Sequence, residues 1–177
     1  GNCNFKWTHF LAIPLTKISK NVDFLEKFYY FKNKVLDDGL YNEDENIFQN
    51  PERLHMTLCM LELKSEKDVN NLKRTLQNLT PLLNEPLQGE DVYLYFEALE
   101  VFGKPHDSRV MYTKPKISES NKIIDLLDLI YSNLIETKIL QKEQMKFSNV
   151  VYNEDSQRYE KEKLHVTLMN TSFINKE

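Results

Sequence analysis

The sequence predicts a single domain that mixes helices and strands in two related lobes. Three observations carry that expectation. Short apolar runs bounded by turn residues mark strands, and apolar stripes at three- and four-residue spacing mark helices between them. The frame Leu-His-x-Thr-Leu occurs twice, as Leu54-His55-Met56-Thr57-Leu58 and Leu164-His165-Val166-Thr167-Leu168. Each copy closes a half of the chain that contains a helix, which suggests two lobes with a cleft between them.

The elements follow in order. Thr8 to Leu15 reads as a first strand. Val22, Leu25, Phe28, Tyr29 and Val35 recur at helical spacing and predict a helix over Asn21 to Leu36. Asp37 to Asn46 is acidic around Gly39 and reads as a solvated loop. Ile47-Phe48-Gln49-Asn50-Pro51 is a turn into the first His strand, Leu54 to Leu63. Ser65-Glu66-Lys67-Asp68 resembles a capping box, opening a helix with Val69, Leu72, Leu76, Leu79 and Leu83 on one side. Val92 to Phe102 is rich in Tyr, Phe and Val and predicts a strand. The Gly103 to Arg109 turn joins it to another at Val110 to Thr113. A helix over Ser120 to Thr137 buries Ile123, Leu127, Ile130 and Leu134. A polar stretch, including a charged loop from Tyr152 to Lys163, precedes the second His strand, Leu164 to Phe173.

The chain of 177 residues is long enough for a sizeable core, and 41% hydrophobic with 28% charged residues is ordinary for a soluble globular protein. Only 4 Gly and 6 Pro argue against a linker-rich or low-complexity architecture. A net charge of −4 gives no global pull toward nucleic acid, so a polyanion site must rely on local positive charge. Cys3 and Cys59 have neither CxxC spacing nor companions, which reads as a reduced intracellular setting, although a bridge between the two stays open. No apolar run reaches transmembrane length, so no membrane partner is expected. The chain opens on Gly1 rather than Met, which reads as an excised piece of a longer protein.

In a strand, residues i and i+2 share a face. Each frame therefore presents an imidazole beside a hydroxyl, with its Leu and Met or Val neighbours turned into a core. Two such pairs facing each other supply a general base, a general acid and two hydroxyl donors around one phosphate. The catalytic candidates are His55, Thr57, His165 and Thr167. A neutral imidazole takes a proton from the attacking hydroxyl or water while an imidazolium protonates the leaving oxygen; the sequence does not assign which is which. A lone His-x-Thr is commonly a half-buried structural histidine, but here two matching frames use two of the 4 histidines. No carboxylate, cysteine or third histidine lies at ligand spacing, and Thr is a poor zinc ligand, so neither metal nor other cofactor is expected. No nucleophile elbow supports a Ser-His-Asp triad.

Other residues are weighed against blander roles. Lys104 and Arg109 lie in the most basic local stretch and are candidate contacts to a polyanion, yet a solvated hairpin tip explains them too. Tyr112 and Phe10 are candidates to stack on a base, or are core aromatics. His106 and His9 lack a Thr partner and are read as structural.

Paired His-x-Thr motifs about a hundred residues apart, in a strand–helix pseudo-repeat, resemble the 2H phosphoesterase superfamily. The closest likeness is to one branch, carried by Thr8-His9-Phe10-Leu11-Ala12-Ile13-Pro14-Leu15, the Phe48-Gln49-Asn50-Pro51 turn and both His frames. It covers nearly the whole chain. The resemblance implies a bilobal α+β fold, with two pseudo-symmetric lobes, antiparallel sheets lining a central cleft and helices outside. It implies metal-independent phosphodiester chemistry on RNA ends or short oligonucleotides, often through 2′,3′-cyclic phosphates. In that branch a KH RNA-binding domain precedes this one, and no Gly-x-x-Gly loop occurs here. The resemblance further implies a nuclear setting and, as partners, subunits of a helicase-containing transcription-coactivator and alkylation-repair complex. Two competing readings are a nucleotide- or RNA-end-binding module without turnover and an interaction scaffold using the charged loops.

Overall fold

Residues 5–16, 22–39, 44–118 and 121–174 are described by the structure, a computed structural model. Cys3, Asn21, Ser120 and residues 40–43 of the expected acidic loop lie outside them. Among the described residues the order is β1 (His9–Pro14), α1 (Val22–Asp37), β2 (His55–Leu61), α2 (Glu66–Leu87), β3 (Tyr95–Val101), β4 (Val110–Lys116), α3 (Ile123–Glu136), α4 (Lys142–Met145), β5 (Val150–Asn153), β6 (Arg158–Lys161) and β7 (Val166–Asn170). The fold is α+β, with antiparallel sheets of five and two strands ordered β1-β2-β7-β4-β3 and β5-β6.

The chain forms two compact units. The first takes in the chain up to Leu11, Leu58–Tyr95 and Lys116–Lys163; the second takes in Ala12–Thr57, Phe96–Pro115 and the chain from Leu164 onward. They are not the two sequential halves expected from the order of elements. Strands β2 and β7 are sheet neighbours, and the His and Thr of both frames fall in the second unit. Hydrophobic periodicity sets which face a strand buries, whereas strand order is a long-range property that periodicity does not contain.

In the first unit α2 starts as the capping signal predicts. The Ser65 hydroxyl accepts from the Asp68 backbone N–H at 3.2 Å, but the Asp68 carboxylate turns back to the Lys64 N–H at 3.0 Å instead of closing the box. Its stripe of Val69, Leu72, Leu76, Leu79 and Leu83 is buried or half-buried. The helix passes through Pro81 and Pro86 and ends at Gln88 in the left-handed region. Helix α3 buries Ile123, Leu127, Tyr131 and Leu134, so Tyr131 takes the place expected for Ile130. Its hydroxyl donates to the Leu58 carbonyl at 2.8 Å. The expected charged loop from Tyr152 to Lys163 is instead the β5–β6 hairpin, turned by Asn153, whose side chain accepts from Asp155 and Ser156 N–H. It is fixed to α3 by the Tyr159 N–H on Asp128 at 2.8 Å and by the Arg158–Asp125 pair at 2.9 Å.

In the second unit α1 buries Phe28 and sets Phe24 against Phe96 and Phe31 against Phe48. Tyr29, expected on the apolar face, is exposed. The Phe48-Gln49-Asn50-Pro51 turn docks on β7: Phe48 bridges Met169 and the Gln49 N–H donates to the Leu168 carbonyl at 2.8 Å. Leu168 is the extra residue where the register of β7 with β4 shifts.

Candidate active site

The two frames fold alike. Leu54, Met56, Leu164 and Val166 are no more than 6% exposed, while His55, Thr57, His165 and Thr167 are half-buried between them. Burial of each such apolar side chain contributes roughly 1.5–3 kcal/mol. That alternation fixes which residues face outward, because a slip by one residue would bury the imidazoles and expose the core.

Register then brings the four together. Strands β2 and β7 run antiparallel with Met56 opposite Val166. Continued one step to either side, an antiparallel register would set His55 opposite Thr167 and Thr57 opposite His165. Directly opposite residues of an antiparallel pair project from the same face with Cβ atoms about 4.5–5.5 Å apart. Each imidazole thus has one Thr two residues along its own chain and the other Thr across the ladder. Strand β4 continues the sheet, since Tyr112 pairs with Thr167 and Thr113 with Val166. Lys114 follows Thr113 on β4, and His165 precedes Val166 at the start of β7. Two rows result, His55–Thr167–Tyr112 and Thr57–His165.

The His55 Nδ1 lies 2.6 Å from the Arg53 carbonyl. A carbonyl only accepts, so Nδ1 carries the hydrogen in this contact. His165 is held differently. Its ring meets Phe102 at 5.2 Å and Tyr112 at 5.3 Å, both edge to face, and Phe102 stacks on Tyr112 at 4.3 Å. The Tyr112 hydroxyl donates to Glu100 Oε2 at 2.9 Å, and Lys114 Nζ pairs with Glu100 Oε1 at 2.7 Å. These bonds hold the Glu100 carboxyl below its ordinary range, Lys114 first and Tyr112 second. They raise Lys114, and burial followed by the Glu100 bond raises the Tyr112 phenol.

The remaining sequence candidates are placed less closely. Tyr112 adjoins His165, but one ring face is taken by Phe102 and its hydroxyl by Glu100. Arg109 is exposed and three residues before Tyr112, roughly 10 Å along the strand direction; its carbonyl accepts the Thr171 N–H at 2.9 Å. Lys104 is exposed at the start of the 3-10 turn of that hairpin. Phe10 is 54% exposed and belongs to the first unit. His9 bonds the Thr8 hydroxyl at 2.8 Å, and His106 is exposed in the hairpin. Sequence reasoning missed Glu100 and Phe102, and noticed Lys114 only as a cation close behind the basic hairpin stretch. The available signal was alternation, since Tyr112 and Lys114 stand two apart in a strand.

Two concavities lie elsewhere among the described residues. One of about 460 Å³ in the first unit is lined by Lys64, Arg74 and Gln144; one of about 720 Å³ in the second unit by Lys32, Phe48 and Arg53. Neither is lined by the His and Thr side chains. No group of three His, Cys, Asp or Glu side chains among the described residues has the spacing to hold a metal ion.

The AKAP7 2'5' RNA ligase-like domain matches residues 7–177. Activating signal cointegrator 1 complex subunit 1 of Mus musculus is 29% identical over 173 residues, 93% of this chain and 42% of that protein. A-kinase anchor protein 7 isoform gamma of Homo sapiens is 26% identical over 131 residues, 71% of this chain and 33% of that protein. The chain thus spans less than half the length of either relative. With a match over nearly its full length, the chain belongs to the AKAP7 2'5' RNA ligase-like domain family, a family of 2H phosphoesterases that are generally phosphodiesterases.

Proposed function

We propose that this domain is a metal-independent phosphodiesterase acting on RNA ends or short oligonucleotides, 2′,3′-cyclic phosphates among them. The supporting observation is the reciprocal register, which sets an imidazole and a hydroxyl opposite a hydroxyl and an imidazole on one sheet face. For a cyclic phosphate, water attacks phosphorus and gives its proton to the neutral imidazole. A phosphorus–oxygen bond of the ring breaks, and the released ribose oxygen takes the proton of the imidazolium. Thr57 and Thr167 donate to the nonbridging oxygens as charge builds. Lys104 and Arg109 meet phosphates further along a longer oligomer. By its likeness to the cointegrator subunit, the domain works in the nucleus within the activating signal cointegrator 1 complex, alongside the helicase of that complex.

The test is cleavage of short RNA oligomers with different 3′ ends in excess chelator, comparing the unaltered chain with His55→Ala and His165→Ala. Chelator-resistant products that vanish in both variants are expected, and product termini identify the bond broken. RNA-end binding without product from any oligomer would make the site a recognition module.

A further inference from the structure

We propose that Glu100 is a positioning residue for His165, neutralising Lys114 and anchoring Tyr112 beside the imidazole. The inference rests on the phosphodiesterase reading and concerns one member of its acid–base pair. His165 immediately precedes β7, and its ring packs against Phe102 and Tyr112. Tyr112 is itself held at its far end by the Glu100 carboxylate. Lys114 follows Thr113, the β4 residue paired with Val166 next to His165, and an uncompensated ammonium on that strand would disfavour the imidazolium form. Glu100 answers both needs at once, one carboxylate oxygen on each partner. The charged and titratable groups nearest His165 in this scheme are His55 on β2, Glu100 on β3, Tyr112 and Lys114 on β4, and Lys163 two residues earlier in the chain. Glu100 is the carboxylate bonded to both Tyr112 and Lys114, so it bears on His165 through each of them. Its partners hold it ionised through the neutral range.

Opposite signs make the idea testable. In Glu100→Gln the amide can still accept from Tyr112, but Lys114 loses its counter-charge. In Lys114→Met the carboxylate is left without its cation. Tyr112→Phe keeps the charges and removes the anchor. The midpoint of His165 is read from its Cε1 proton by NMR on the full chain, with turnover of 2′,3′-cyclic uridine monophosphate measured in parallel. Glu100→Gln is expected to lower the midpoint by about 0.5 pH unit and Lys114→Met to raise it by a similar amount. Tyr112→Phe is expected to lower kcat about tenfold with KM within twofold. Midpoints that move in the same direction, or not at all, would overturn the proposal. Opposite shifts in a chain that turns over no cyclic nucleotide would sink the phosphodiesterase reading while leaving the control of His165 by Glu100 standing.

Discussion

Replacing either threonine by valine tests the site at its most specific point. Thr57→Val and Thr167→Val keep a β-branched side chain in a strand, so the backbone and the buried Met56 and Val166 face are undisturbed. What is removed is one hydroxyl donor from each row, Thr57 opposite His165 or Thr167 opposite His55. Loss of one donor to developing charge costs about 10²–10³ in kcat. Both positions are half-buried, where water partly substitutes, so the expected loss is near the lower figure, about 2.7 kcal/mol. Reciprocity adds a sharper constraint: the two single variants should lie within about tenfold of each other. Because both hydroxyls serve one phosphate, the double variant should lose less than the product of the singles. The assay is steady-state turnover of a 2′,3′-cyclic nucleotide, with melting temperature as the control for folding. A single variant whose kcat stays within twofold would refute the two-donor reasoning.

The kcat/KM profile should be bell-shaped in pH, because one imidazole must be neutral and the other charged; a flat profile between pH 5 and 9 would exclude acid–base work by this pair. Cys59 is fully buried, and burial pushes its thiol up to about 12 from an ordinary 9.0. In a Cys3→Ser background it should therefore resist alkylation until the chain unfolds, and rapid labelling of native protein would contradict that burial. Its contribution to stability is present below pH 9 and is lost as pH rises toward 12, since only the unfolded thiol ionises easily there. Lys161, depressed by burial, acts in the opposite sense, so the Cys59 slope is the difference between this chain and Cys59→Ala in urea titrations across that range. Tyr131→Phe strips the bond to the Leu58 carbonyl from a fully buried ring and should cost about 1–2 kcal/mol, a fall in melting temperature of roughly 3–6 °C.

The legible part of this molecule was its local part. Alternation and helical spacing located both His strands and the three long helices, and the Ser65 cap is where its residue pattern puts it. The hairpin of β5 and β6 was hidden because its side chains are largely polar or charged, and its anchorage on Asp128 depends on a helix some thirty residues earlier. Tyr131 displaced Ile130 from the buried face because its hydroxyl found the Leu58 carbonyl, a contact that no period reveals. At the site, residue types and spacing named His55, Thr57, His165 and Thr167. Their adjacency in a single unit follows from the pairing of β2 with β7, which is set by the whole sheet.

The reciprocal rows have a consequence for how a strand of nucleic acid would be read. Exchanging His55 with His165 and Thr57 with Thr167 leaves the central four-residue pattern unchanged, a local two-fold about the Met56–Val166 pair. A phosphate seated there meets the same constellation in either sense, so the core of the site has no polarity of its own. Handedness enters through what flanks it, and β4, beside β7, sets Tyr112 against the His165 ring. If the site takes nucleic-acid ends as proposed, the difference between a 5′ and a 3′ end would be written in the neighbours of the motif, while the motif itself would be indifferent to direction.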